Sequence, residues 1–131
     1  MPVNPYQKYK QQSIMTMTPG ELLLKLFDET IKQLHYAQDA LPQKQYEQAN
    51  ASMQKATRII SHLNKTLEMQ YEISKNLEQL YDFFIHKITQ ANIYKDPSHI
   101  AEILPMIEDL RDAFAQADRQ VSSGQGGAKE G

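Results

Sequence analysis

Residues 21–123 contain no glycine; all five glycines are Gly20 or lie from Gly124 onward. Each interior glycine costs a helix roughly 0.5–1 kcal/mol relative to alanine, so a long glycine-free span suits helices. The prolines are Pro2, Pro5, Pro19, Pro42, Pro97 and Pro105, and most of them precede or open a periodic segment. Proline is tolerated there because its missing N–H would have no helical partner anyway.

Between these marks the apolar spacing is helical. Leu23, Phe27, Thr30, Leu34, Ala37 and Leu41 alternate steps of four and three. Tyr46, Ala49, Met53, Ala56, Ile60, Leu63 and Leu67 do the same, as do Ile100, Ile103, Ile107, Leu110, Phe114, Ala117 and Val121. Leu77, Leu80, Phe84, Ile88 and Ala91 form the remaining row. Such steps put each set on one face of a helix. With 40% hydrophobic residues a packed core is available, and no window alternates as a strand would. The pattern predicts an all-α fold: an antiparallel four-helix bundle with a short additional N-terminal helix.

The boundaries follow from local chemistry. Thr18-Pro19-Gly20-Glu21 reads as a capping box, and Asp96-Pro97 as an acidic cap with proline at the first helical position. Residues 1–17 are a separate N-terminal segment in which Tyr6, Tyr9 and Ile14 have rough helical spacing, fit for a short helix lying on the bundle. Residues 18–121 form the bundle, and the Ser/Gly-rich residues 122–131 a flexible tail. Pro105 falls inside the last row, where a kink away from the apolar face is expected rather than a helix end.

Several chemistries lack their residues. With no cysteine there is no disulfide, thiolate metal site or thiol nucleophile. Di-iron bundles use Glu-x-x-His pairs, but Glu29, Glu78 and Glu108 are followed three residues on by Lys32, Tyr81 and Arg111. His35, His62, His86 and His99 show no paired spacing, and no phosphate-binding glycine loop or nucleophile elbow is present. The chain is therefore expected to be a non-enzyme without cofactor. A net charge of -2 without a basic cluster argues against nucleic acid. The absence of a long apolar run or an apolar leader argues against membrane insertion and for a cytoplasmic protein. Residues 44–67 carry four positive charges and one negative, and residues 96–119 six negative and two positive. Opposite sign is compatible with these two segments lying side by side, although surface pairs contribute only about 0–1 kcal/mol each.

The chain has more apolar surface than four seams need. Leu22, Leu24, Leu26 and Ile31 add a second face to the first long helix, Ile59 adds to the next, and Phe83 and Ile85 to the third. Either these residues thicken the core beneath the N-terminal segment, or they line grooves that take an amphipathic helix from another protein.

Asn4-Pro5-Tyr6-x-x-Tyr9, Thr18-Pro19-Gly20-Glu21-Leu22, Leu80-Tyr81-Asp82 through Gln90-Ala91-Asn92, and Leu110-Arg111-Asp112-Ala113-Phe114 together resemble the flagellar secretion chaperone family, FliS. The resemblance spans roughly residues 4–120. It implies a small antiparallel α-bundle that holds the C-terminal segment of flagellin in the cytoplasm. Such a protein prevents premature polymerisation and delivers the client to a component of the flagellar export gate, with a co-chaperone as a further possible partner. It also implies that the tyrosine-bearing N-terminal segment covers part of the site when no client is bound. The chain departs from the family at His86-Lys87, where two basic residues are common, at Phe114, where tryptophan is frequent, and at Pro105. The expected client contacts are Tyr6, Tyr9 and Ile14 in the flap, Leu24 and Ile31, Ile59 and Leu63, and the motif residues Tyr81 and Asn92. A bundle of this kind serving a different secreted client, or holding a metal or cofactor, remains the alternative.

Overall fold

The computed structural model describes Pro5 and residues 16–130, with residues 122–130 as backbone only. Tyr6, Tyr9, Ile14 and the expected N-terminal helix lie outside the described residues. The described residues form four helices and no strand: α1 Pro19–Ala40, α2 Tyr46–Lys65, α3 Glu72–Tyr94 and α4 Ser98–Glu130. None is long and apolar enough to cross a membrane.

Each helix starts and stops for a local reason. The Glu21 N–H donates to Thr18 Oγ1 at 3.1 Å, and Pro19 occupies the first turn of α1. The Asp118 carboxylate of α4 lies against the Cα of Gly20, so a side chain at position 20 would have to displace that carboxylate. The chain leaves α1 through Lys44, at φ 60°, with the N–H groups of Gln43 and Gln45 both donating to the Ala40 carbonyl. α3 ends at Lys95 in the left-handed region, where the N–H groups of Lys95 and Asp96 both reach the Ala91 carbonyl. Asp96 Oδ1 then accepts the Ser98 N–H at 2.9 Å, and this bond lowers the Asp96 pKa, helped by the Ser98 side chain and His99. Asp96 thus supplies the expected acidic bond at the start of α4, but Pro97 precedes the first helical residue, Ser98, and its carbonyl accepts the Ala101 N–H.

Left-handed φ costs a side chain about 1–2 kcal/mol, which glycine avoids at the expense of a more flexible unfolded chain. Lys44 is exposed, so Lys44→Gly is expected to stabilise the protein by about 0.5–1 kcal/mol. Thermal melts that show no gain would contradict this reading of the turn.

The four apolar rows meet in one cluster. Phe27, Leu34, Met53, Phe84, Ile88, Ile100, Ile103 and Ile107 are each at most 2% exposed. α1 and α3 each pack on both α2 and α4, closing a ring in which α2 and α4 stand on opposite corners. Asn50 meets Asn92 and Asn64 meets Asp82 across α2 and α3, while Asp28 meets Arg111 and His35 meets Glu108 across α1 and α4.

Three expectations change. The oppositely charged segments do not lie side by side, because the apolar seams set the order of the ring and weak surface pairs do not. The acids of α4 instead meet α3 and α1, through Lys87–Glu102 at 2.8 Å and His35–Glu108 at 3.6 Å. The last apolar row also drifts: Ala115 is buried, whereas Ala117 and Val121 are exposed. A straight helix turns once in 3.6 residues, so a strict 3.5-residue row slides off the contact line. Finally, helical backbone continues to Glu130 where a tail was expected from Ser122, since a helix already nucleated propagates more easily than it starts. Pro105 lies exposed within α4, on the side away from the seam, and does not end the helix.

Candidate functional site

The surplus apolar residues are packed against the core without being sealed. Leu26, Ile31, Ile59, Phe83 and Ile85 are partly buried against it, Leu24 is half-buried, and Leu22 is exposed. Leu24, Asp28, Ile31 and His35 follow steps of four, three and four, so they share one stripe of α1. Within that stripe Arg111 Nε donates to Asp28 Oδ1 at 2.9 Å, and His35 Nε2 lies 3.6 Å from Glu108. The bond to Asp28 and its charge raise the Arg111 pKa further. Leu24 and Ile31 therefore stand on the border between α1 and α4.

Ile59 stands on a different border. It shares a stripe of α2 with Gln48 and Ser52, which line a shallow pocket of about 310 Å³ with Tyr36, Asp39 and Gln43.

Leu63 and Tyr81 come together at one end of the ring. There Pro19, Leu23, Leu67, Tyr71, Leu77 and Phe114 join them around a largely apolar cavity of about 470 Å³. Phe114 reaches it from α4, its ring centroid 5.5 Å from that of Phe27. The loop beside the cavity is held by Ser74 Oγ, which donates to the Glu68 carbonyl at 2.7 Å. Leu63 and Tyr81 are themselves core residues, 5% and 2% exposed, so they form the floor of this cavity. Its rim at Pro19 is where the N-terminal segment joins the first helix.

Burial pushes the Tyr81 phenol up to about 12 from 10.0. An acid held neutral in this way stabilises the fold fully below its unfolded pKa near 10, and that stability is lost as pH rises from about 10 to about 12. The loss is about 2–3 kcal/mol. Tyr81→Phe is expected to change stability little at pH 7 and to remove this part of the alkaline loss. Urea melts of both proteins at pH 9 and 11.5 check it, and parallel declines would contradict it.

Asn92 lies elsewhere, in a groove of about 300 Å³ between α2 and α3, lined by Met53, Gln54, Thr57, Arg58, Ile88, Thr89 and Ile93. Its Nδ2 donates to Asn50 Oδ1 at 2.7 Å, and its Oδ1 accepts Lys95 Nζ at 2.8 Å. Lys95 also sits 5.5 Å from the Tyr46 ring centroid. These contacts tie the end of α3 to the start of α2 and fix the amide at the groove.

The six described residues expected to contact a client thus occupy four places, and only Leu63 and Tyr81 share a cavity. Sequence reasoning missed the groove between α2 and α3. Its signal was Ile85, Thr89 and Ile93 at steps of four beside the core row, with Ile93 67% exposed. Among the described residues, no three side chains of the metal-ligating types converge.

Comparison with known proteins gives these surfaces a context. The chain is 38% identical over 127 residues to the flagellar secretion chaperone FliS of Bacillus subtilis, covering 95% of this chain and 96% of that one. It is 31% identical to the Vibrio cholerae protein of the same name, over 84% of this chain and 85% of the relative. A solved structure described as a flagellar chaperone from bacteria shares the fold, with a TM-score of 0.74 at 21% identity over 88% of this chain and 95% of that one. The sequence model of the family described as flagellar protein FliS matches residues 2–121, and the chain belongs to that family.

Proposed function

We propose that this chain is a cytoplasmic export chaperone that binds the C-terminal segment of flagellin, keeps it from polymerising early and hands it to a component of the flagellar export gate. Membership of the FliS family supports the reading, and so do relatives named as secretion chaperones. The observation that carries it is the unsealed apolar surface, spread over several helix borders rather than gathered in one cleft. A client wrapped around the outside needs such a distribution, and a disordered segment that folds on binding can cover a large surface yet still be released. The role is competitive burial, without catalysis or cofactor.

In this reading residues 18–121 are an antiparallel four-helix bundle, supported by the opposed numbering of the contacts across α2–α3 and α1–α4. Residues 1–17 act as a flap, with Tyr6, Tyr9 and Ile14 covering apolar surface until a client displaces them. The cavity beside Pro19 lies within reach of that flap. Leu24, Ile31, Ile59 and the rims around Leu63, Tyr81 and Asn92 contact the client.

Co-expression with full-length flagellin, followed by size-exclusion chromatography, tests the reading. A complex that elutes ahead of either protein and contains both supports it. Separate elution, with flagellin aggregated as it is without the chaperone, contradicts it.

A further inference from the structure

α4 runs to Glu130, but among the described side chains its burial ends much earlier. Ala115 is its last buried residue, and Gln116, Ala117, Arg119, Gln120 and Val121 are all exposed. Asp118 is the exception, half-buried although it is an acid. It lies one turn beyond Phe114 on the same stripe of α4, and its carboxylate rests against Gly20 in the first turn of α1. Gly20 is also the one glycine among residues 1–123.

The first turn of α1 suits a carboxylate. Pro19 has no N–H, the Glu21 N–H goes to Thr18 Oγ1, and the Leu22 N–H goes to the Thr18 carbonyl. Among the described bonds none takes the Gly20 N–H, which stands at the positive end of the helix dipole. With no side chain at position 20, the Asp118 carboxylate comes up to the backbone itself. Both partners adjoin the cavity at this end of the ring: Pro19 precedes Gly20, Phe114 stands one turn before Asp118, and both line it. Phe114 anchors that turn of α4 from inside, against Phe27, and Asp118 holds it from outside.

We propose that Asp118 is a latch: its carboxylate on the bare backbone of Gly20 fastens the end of the packed part of α4 to the start of α1, and its release opens the rim of the cavity lined by Pro19 and Phe114. This goes beyond the client reading, because it concerns how the rim is held whichever molecule enters.

Hydrogen exchange on the full chain tests it, with each variant read on the opposite helix. Asp118→Ala is expected to speed exchange in the first turn of α1 by about two- to fivefold, the range set by one carboxylate at a helix N-terminus. Gly20→Ala pushes the carboxylate away and is expected to speed exchange by a similar factor over residues 115–121 of α4. Alanine favours the helix it sits in, so loosening of α4 in that variant reports the lost contact rather than lost propensity. The double variant loosens no more than either single one, since both act on the same contact. Fluorescence of Nile red, an uncharged apolar dye, rises in both variants as the rim opens, while Arg119→Ala, at an exposed neighbour, matches the parent. Exchange on the opposite helix that stays at the parent rate, loosening spread evenly over all four helices, a double variant whose effects sum, or unchanged dye fluorescence overturns the proposal.

Discussion

Phe84→Ala is expected to lower the unfolding free energy by about 3–5 kcal/mol, the usual cost of emptying a phenylalanine site in a packed core. Phe84 is 1% exposed and belongs to the core cluster to which all four helices contribute. Domains of this size are stable by only about 5–15 kcal/mol, so the change removes a large fraction of the total. Exposed apolar residues make the contrast. Val121→Ala, at a side chain 56% exposed, is expected to stay within about 0.5 kcal/mol. Urea unfolding of both variants, followed by circular dichroism, separates the two cases. A shift below about 1 kcal/mol for Phe84→Ala would mean that the ring does not close on this residue.

The second large effect concerns binding. Ile31→Asp is expected to weaken capture of a flagellin C-terminal peptide at least tenfold, or about 1.4 kcal/mol. Full burial of an isoleucine contributes about 1.5–3 kcal/mol, and in the free protein Ile31 is only partly buried, which leaves roughly half of that for a client. A carboxylate in the same place adds a desolvation penalty on closure. The substitution also removes some packing, so Leu24→Asp, at the half-buried neighbour on the same stripe, serves as a second probe. A peptide pull-down in which both variants match the parent, while their melts confirm folded protein, would place the client elsewhere.

Much of the fold was legible because each helix carries a regular apolar row bounded by proline, a polar cap or a left-handed residue. Thr18, Pro19 and Asp96 mark helix ends by short-range chemistry; the buried residues of α2 all fall on the expected row, and those of α1 do so except Gln33 and Ala40. What was not legible depends on the order of helices around the ring. Periodicity tells which face of α2 is apolar but not which helix covers it, so charge alone suggested the wrong neighbour for α2. The same limit applies to the candidate site. Leu24, Ile31 and Ile59 were visible as surplus, whereas the cavity formed by Pro19, Leu63, Tyr81 and Phe114 draws on all four helices. Lys44 and Lys95, left-handed without being glycine, carry no signal in a single sequence.

The most direct measurement compares full-length flagellin with flagellin shortened at its C-terminus, each offered to the immobilised chain. The expected result is retention of the full-length protein and loss of the shortened one, with free C-terminal peptide displacing what was bound. Equal retention of both, or of neither, would contradict the account, because the spare apolar borders would then shelter something other than the end of flagellin.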